Sequence, residues 1–247
     1  ISGIDVNGPI STTSRSDVNI IASVNPQNHK ILLTSTPRDY YVTIPGVSGE
    51  QRDKLTHAGI YGVDKSMETL ENLYGIDISY YVKVNFTSVV EIVDALGGVD
   101  VDSPSEFSTS KYHFNQGINH LDGDMALAFA RERHSFTSGD NQRGKNQELL
   151  LTALIQKAMS PAILQNMGSL IDTLSSSVET NMSREQMTAL ISRQLAEGSQ
   201  WTIESTAAIG AGDTQACYSS GSQPLYVMWP NEDSLGNIKK KIEEVMK

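Results

Sequence analysis

Apolar and polar positions alternate in short runs through the first third of the chain and recur at helical spacing through much of the rest. Val18-Asn19-Ile20-Ile21-Ala22-Ser23-Val24 and Ile31-Leu32-Leu33-Thr34-Ser35 are β-branched runs that predict two strands. Asn25-Pro26-Gln27-Asn28-His29 between them predicts a turn. Gly3-Ile4-Asp5 closes an earlier strand. A helix is expected from Val63 to Tyr74, stopped by Gly75, which takes a left-handed cap without steric cost. Tyr80-Tyr81-Val82-Lys83-Val84 predicts a further strand. Phe86, Val89, Val90 and Val93 then share one face of a helix ended by Gly97-Gly98.

The second half reads as mostly helical. Asn146 to Met159 is apolar on nearly every side, through Leu149, Leu150, Leu151, Ala153, Leu154, Ile155 and Ala158. Such a helix is either central in a core or lies against an apolar ligand. Pro161 opens another, with Ile163, Leu164, Met167, Leu170, Ile171, Leu174 and Val178 in one stripe, and Ser183 begins a third with Glu185 and Gln186 in its first turn. A short strand Tyr226-Val227-Met228 and a charged helix from Ser234 close the chain. Strands interleaved with helices predict an α/β layered sandwich, and no linker divides the 247 residues, so one domain over 1–247 is expected.

A hydrophobic fraction of 38% with 19% charged residues fits a folded domain. The formal charge of −10 argues against a nucleic-acid partner, which needs a broad basic surface. No apolar run approaches the roughly 20 residues that span a bilayer. The chain starts at Ile1 without a signal peptide and so reads as a processed or excised segment. The single cysteine, Cys217, has no partner for a disulfide and reads as a small half-buried residue.

Familiar enzyme signatures are missing: there is no GxSxG elbow, no GxxxxGKS phosphate loop, no HExxH and no CxxC. His29, His57, His113, His120 and His134 show no metal-ligand spacing, and a Ser-His-Asp nucleophile has little support. Arginine and aspartate remain. Arg15-Ser16-Asp17 heads one strand and Pro37-Arg38-Asp39 follows the next, at the rim of a sheet where α/β proteins bind ligands. Arg131-Glu132-Arg133 ends a helix that begins near Asp122, and Arg143 shares a face with Gln147 one turn on. Arginine's planar fork suits phosphate, so converging arginines beside an apolar helix fit a lipid-linked pyrophosphate. Surface ion pairs among the same residues are the plain alternative. Asp5 and Asp17 could share one rim and hold Mg2+ with water and phosphate oxygens, or could simply be turn and cap residues.

Several blocks together resemble the LytR-CpsA-Psr family. They are Ser16-Asp17, Thr36-Pro37-Arg38-Asp39, Tyr80-Tyr81-Val82-Lys83-Val84-Asn85-Phe86, Val93-Asp94-Ala95-Leu96-Gly97-Gly98-Val99-Asp100-Val101, His120-Leu121-Asp122-Gly123 and Ala128-Phe129-Ala130-Arg131-Glu132-Arg133. They occur in family order, and the streptococcal capsule members are the most similar. The resemblance implies an α/β/α layered sandwich with a central mixed sheet and a hydrophobic lipid pocket. It also implies a place on the extracytoplasmic face of a Gram-positive cell membrane, with an anchor helix outside this segment. The implied activity is a phosphotransferase moving capsular polysaccharide or a related glycopolymer from a polyprenyl-pyrophosphate carrier to peptidoglycan, with Mg2+ assisting.

On matching positions, Asp5 and Asp17 would serve the metal. Arg15, Arg38, Arg131, Arg133, Arg143 and Gln147 would hold the pyrophosphate. Arg38, Asp39, Arg133 and Arg143 would carry catalysis, Asp39 as general base because an acceptor hydroxyl needs one within hydrogen-bond reach. One departure stands out: Asn146 replaces a second arginine of the family run, and Lys145 points about 100° away around a helix. A lipid-pyrophosphate hydrolase and a non-catalytic lipid-carrier-binding protein regulating capsule assembly are the competing readings.

Overall fold

The computed structural model describes residues 1–133, 135 and 139–247, without the side chains of Gly139, Asp140, Asn141, Ser169, Thr173 and Leu174. His134 and the side chain of Leu174 therefore lie outside the described residues. The chain divides into two compact units, Ile1–Asn85 with Glu179–Asn181 and Gln200–Lys247, and Phe86–Val178 with Met182–Ser199.

In the first unit, β2 (Ser16–Asn25) and β3 (Lys30–Ser35) form an antiparallel pair where the β-branched runs predict them. β1 (Ser2–Ile4) lies antiparallel to β2 and parallel to β6 (Val82–Val84). β11 (Glu179–Thr180) and β12 (Thr202–Ala207) complete a mixed sheet in the order β11-β6-β1-β2-β3-β12. Ile20, Ile31, Leu32 and Leu33 are buried in it. The α/β class with a central mixed sheet is as expected.

α2 (Val63–Tyr74) and α9 (Glu232–Met246) supply the apolar stripes that cover Ile21 and Leu32. On α9 these are Leu235, Ile238 and Ile242, spaced one and two turns apart. Burial of each stabilises the fold by about 1.5–3 kcal/mol. Gly75 ends α2 at φ 62° and ψ 47°, the left-handed cap predicted for it.

Two smaller pairings in this unit form sheets of their own. β4 (Tyr41–Val42) and β5 (Asp53–Lys54) are antiparallel, and α1 (Leu55–Ala58) follows β5 directly. The hairpin of β13 (Gly210–Ala216) and β14 (Pro224–Pro230) touches the segment after β3, where Tyr40 bridges to Met228. The sequence predicts only the middle of β14. β12 and β13 are mostly exposed and rich in Gly, Ala, Ser and Thr, so they carry no apolar alternation to read.

The second unit is largely helical. It contains α3 (Phe86–Ala95), α4 (Gly123–Arg131), α5 (Gly139–Ala158), α6 (Pro161–Leu164), α7 (Met167–Leu174) and α8 (Arg184–Glu197). β7 (Val99–Ser103) pairs with β10 (Gly117–Leu121), and β8 (Phe107–Ser108) with β9 (His113–Phe114). Phe107, Phe114 and Phe129 meet at ring-centroid distances of 4.8–5.3 Å, with Val93, Val99, Leu121 and Leu150 around them. The single helix expected from Pro161 is two. Asn166 Nδ2 donates to the carbonyl of Ala162 at 3.1 Å, a local bond that competes with the helical ladder at the break. Ser183 caps α8 in a reciprocal box with Gln186, in agreement with the sequence.

Candidate active site

The β1–β2 ladder slips by one residue: Gly3 faces Val18, but Ile4 faces Ser16. Asp17 is the extra residue, and such a bulge re-aims the side chain it carries. Asp5 follows Ile4 at the same end of the ladder and is exposed. Both carboxylates thus stand at one rim. Arg15 is also there, exposed.

Arg38 reaches this rim from the turn after β3. Its Nη1 donates to Asp17 Oδ1 at 2.6 Å, and Thr56 Oγ1 donates to the same oxygen at 3.4 Å. Arg38 Nε lies 3.7 Å from Asp39 Oδ2, and Lys54 forms an ion pair with Asp39 Oδ1. Backbone bonds fix the frame: Thr56 N donates to Arg38 O at 2.9 Å, Leu55 N to Tyr40 O at 2.8 Å, and Met228 N to Asp39 O at 2.8 Å. Gly59, at the end of α1, passes so near Ser14 and Ser16 that a Cβ there would sit 2.6 Å from the Ser14 carbonyl. Only glycine allows that approach. Lys54 and Thr56 are members of the cluster that sequence reasoning missed, since only the pairing of β4 with β5 brings them to Asp39 and Asp17.

The cluster sets Arg38 and Lys54 against Asp17 and Asp39, with Asp5 adding one more negative charge. A pyrophosphate brought to this rim meets no net positive charge from these five residues. A divalent cation held by Asp5 and Asp17 would reverse that balance. Among the described residues no group of three or more His, Cys, Asp or Glu side chains could hold a metal. Two carboxylates still fit Mg2+, which keeps several waters and takes phosphate oxygens for the rest.

The other predicted residues belong to the second unit. Asp122 caps α4, accepting from Met125 N at 2.9 Å, and the helix ends at Arg131. The Arg131 guanidinium lies 4.1 Å from the ring centroid of Phe86, a cation–π contact that holds the exposed side chain. Arg133 is exposed just beyond. Arg143 and Gln147 are half-buried on α5, one turn apart as the sequence predicts, and α5 begins earlier than the apolar run suggests.

Asn146 is fully buried. Its Nδ2 donates to Phe129 O at 3.0 Å and its Oδ1 accepts from Gln142 Nε2 at 3.0 Å. The position ties α5 to the end of α4, so asparagine here is a core residue and Lys145, exposed, does not take its place. Glu148, next to Gln147, is a further residue that sequence reasoning passed over. Burial pushes its carboxyl up to about 7, with Lys145 opposing.

One cluster holds Ser, His and Asp without forming a nucleophilic triad. Asp53 Oδ1 lies 2.6 Å from His57 Nδ1, and Ser219 Oγ lies 2.8 Å from the same nitrogen. A triad needs serine and aspartate on opposite ring nitrogens. Here both crowd one, and Ser219 N and Oγ also donate to Asp53 at 3.0 and 3.1 Å. The network is a buried tie beneath Lys54 and Thr56. Cys217 beside it is buried rather than half-buried.

Among known proteins, a model of the LytR_cpsA_psr family matches residues 1–242. The chain is similar to the polyisoprenyl-teichoic acid–peptidoglycan teichoic acid transferase TagU of Bacillus cereus, 38% identical over 186 residues. That match covers 75% of this chain and 60% of the relative, so the chain spans less than two thirds of the curated protein's length. Of solved structures, B. subtilis TagV superposes with a TM-score of 0.82 at 28% identity, covering 99% of this chain and 94% of that one. TagT bound to LI-WTA superposes at 0.76 and 28% identity, over 99% and 88% of the two chains.

Proposed function

The chain belongs to the LytR_cpsA_psr family, and on that footing we propose that it is a phosphotransferase moving a cell-wall glycopolymer from a polyprenyl-pyrophosphate carrier to peptidoglycan. The observation that carries this reading is the joint one of sequence and geometry. A relative whose name states such a transfer shares 38% of its residues over 186 positions, and this chain places Arg38, Lys54, Asp17 and Asp39 in one rim cluster.

In the proposed reaction the acceptor hydroxyl oxygen attacks the sugar-side phosphorus. The bridging P–O bond breaks, and polyprenyl monophosphate leaves with its electron pair. Arg38 would bind the phosphoryl oxygens and gain strength as charge develops on them. Arg15, Arg131, Arg133, Arg143 and Gln147 are the further candidates for pyrophosphate binding. The hydroxyl proton would pass to Asp39, whose carboxylate is oriented by Lys54 and Arg38. Mg2+ bound by Asp5 and Asp17 would offset negative charge on the pyrophosphate.

α5 leaves Leu149, Leu151, Leu154 and Ile155 only half-buried, which supports an apolar bed for the lipid chain. Among the described residues no helix is long and apolar enough to cross a membrane. The proposed place is the extracytoplasmic face of a Gram-positive cell membrane, reached through an anchor outside this segment. Capsular polysaccharide and teichoic acid are both candidate polymers.

The test is product identity. A short-chain prenyl-pyrophosphate-linked saccharide is incubated with the protein, Mg2+ and peptidoglycan. Saccharide phosphate attached to the glycan, with release of prenyl monophosphate, supports transfer. Free saccharide phosphate in equal yield without peptidoglycan makes the protein a hydrolase. Stable lipid binding without turnover makes it a carrier-binding protein.

A further inference from the structure

The β13–β14 hairpin presents an aromatic platform that the proposed phosphate chemistry does not use. Trp229 on β14 meets Tyr41 edge-on, with ring centroids 5.0 Å apart, and the Arg52 guanidinium lies 5.0 Å from the Trp229 centroid. Trp229 Nε1 donates to Asp213 Oδ2 at 2.9 Å, and Gln215 Nε2 donates to that oxygen at 2.6 Å. The β13–β14 register puts Asp213 and Gln215 on the same face as Trp229, since both lie an even number of residues from its partner Ala211. Arg52 Nη1 donates to Tyr41 O at 3.1 Å. The indole is therefore fixed in orientation, yet Trp229 is 36% exposed.

We propose that this platform binds a neutral pyranose of a glycan chain. A sugar ring offers an apolar C–H face and an equatorial fringe of hydroxyls. Its counterpart is an oriented aromatic ring flanked by planar polar groups, which Trp229 provides with Asp213 and Gln215 at its N–H edge and Arg52 over one side of the ring. Charge decides against other occupants. Arg52 and Asp213 cancel, so a polyanion finds no net attraction, and the bordering charges suit neither a lipid surface nor an apolar peptide.

Continuity with the rim cluster strengthens the assignment. Tyr41 lies two residues after Asp39, and Arg52 two residues before Lys54. Tyr41 and Lys54 are paired across β4 and β5, and Met228, next to Trp229, is bonded to the Asp39 carbonyl. Two residues of chain span at most about 7 Å. A glycan on the platform lies one or two rings from Asp39, as an acceptor strand must. The acceptor role rests on the transferase reading; the saccharide site does not.

The protein has two tryptophans, so Trp201→Phe leaves Trp229 as the only indole reporter. Titration of this variant with a soluble tetramer of β-1,4-linked N-acetylglucosamine should change its emission saturably. Gln215→Ala and Arg52→Ala on that background should each weaken binding about tenfold or more while melting temperature holds. An unchanged emission up to the solubility limit overturns the proposal, as does an affinity in both variants equal to that of the Trp201→Phe parent. Tighter binding of poly(glycerol phosphate) than of the tetramer also overturns it. Saccharide binding without polymer transfer leaves the platform in place and removes the transferase reading. Transfer that is intact in both variants without saccharide binding does the reverse.

Discussion

Arg38 Nη1 donates to Asp17 Oδ1 at 2.6 Å, joining the residue that breaks the β1–β2 register to the first charged residue of the turn after β3. The two roles foreseen for them, phosphate binding and metal binding, meet in one ion pair. Asp17→Asn should therefore do two things. Mg2+ affinity falls because a hard cation depends on charged oxygen donors, and Arg38 loses an anionic partner. Asp5→Asn should lower Mg2+ affinity alone, since Asp5 is exposed and without an ion pair among the described residues. Calorimetric Mg2+ titration and melting temperature, measured on both variants, separate the effects. Unaltered Mg2+ binding in both would reduce Asp5 and Asp17 to cap and ion-pair residues.

Arg133→Ala and Arg143→Ala should each weaken a short-chain prenyl pyrophosphate about ten- to a hundredfold, because hydrogen bonds to charged groups contribute about 1.5–3 kcal/mol. Arg131→Ala should add a small loss of stability through its contact with Phe86. Lys145→Ala should leave affinity alone, given its exposure away from Asn146. If all four variants bind equally well, these arginines are surface ion-pair residues.

The contrast between Asn146 and Arg38 shows where sequence reading succeeds and where it stops. Arg38 was legible because a charged pair just after an apolar strand must stand at a sheet rim. Asn146 looked like a lost cation because a sequence run records spacing, not depth. Its burial depends on the Phe129 carbonyl, 17 residues away in the chain. The same limit hid Lys54 and Thr56, which reach Asp39 and Asp17 only through the β4–β5 pairing. β2, β3, α2 and the capping of α8 were readable because apolar period and cap chemistry are local. β12 and β13 were not, because exposed edges of small residues follow no period.

Asn146→Ala should destabilise the protein by about 1–3 kcal/mol, the range for leaving a buried polar partner unsatisfied. The orphaned group is the Phe129 carbonyl. Asn146→Arg, which restores the family run, should be worse, since a guanidinium cannot be buried there without a partner. Urea midpoints at constant slope measure both changes. A stable Asn146→Arg variant with tighter pyrophosphate binding would overturn the core assignment.

Glu148 gives the second unit a pH dependence of definite sign. Its carboxyl is raised from 4.5 to about 7 by burial, so between those values the folded state holds a proton that the unfolded state has lost. Stability accordingly falls as pH rises through this window. Glu148→Gln removes the slope and should raise stability at pH 8 relative to wild type. Parallel curves for the two proteins from pH 5 to 8 would show that Glu148 titrates as an ordinary carboxylate.

Asp53 should show the opposite sign. Its carboxylate is buried and accepts from His57 Nδ1 at 2.6 Å, Lys54 N at 2.7 Å, and Ser219 N and Oγ at 3.0 and 3.1 Å. Burial alone would raise its pKa, but these bonds prevail and hold it below the ordinary value of 3.8. The stability it contributes is complete above that value and is lost as pH falls through the lower folded one. Asp53→Asn removes the charge while keeping the shape, and should shift the acid-unfolding midpoint upward and lower stability at pH 7 by about 1.5–3 kcal/mol. Because Lys54 follows directly and pairs with Asp39, the variant should also lose catalytic rate more than carrier affinity. His57→Ala should reproduce the stability loss without introducing a new donor. An Asp53→Asn protein with the wild-type acid midpoint and unchanged turnover would show that the tie neither supports this part of the fold nor positions Lys54.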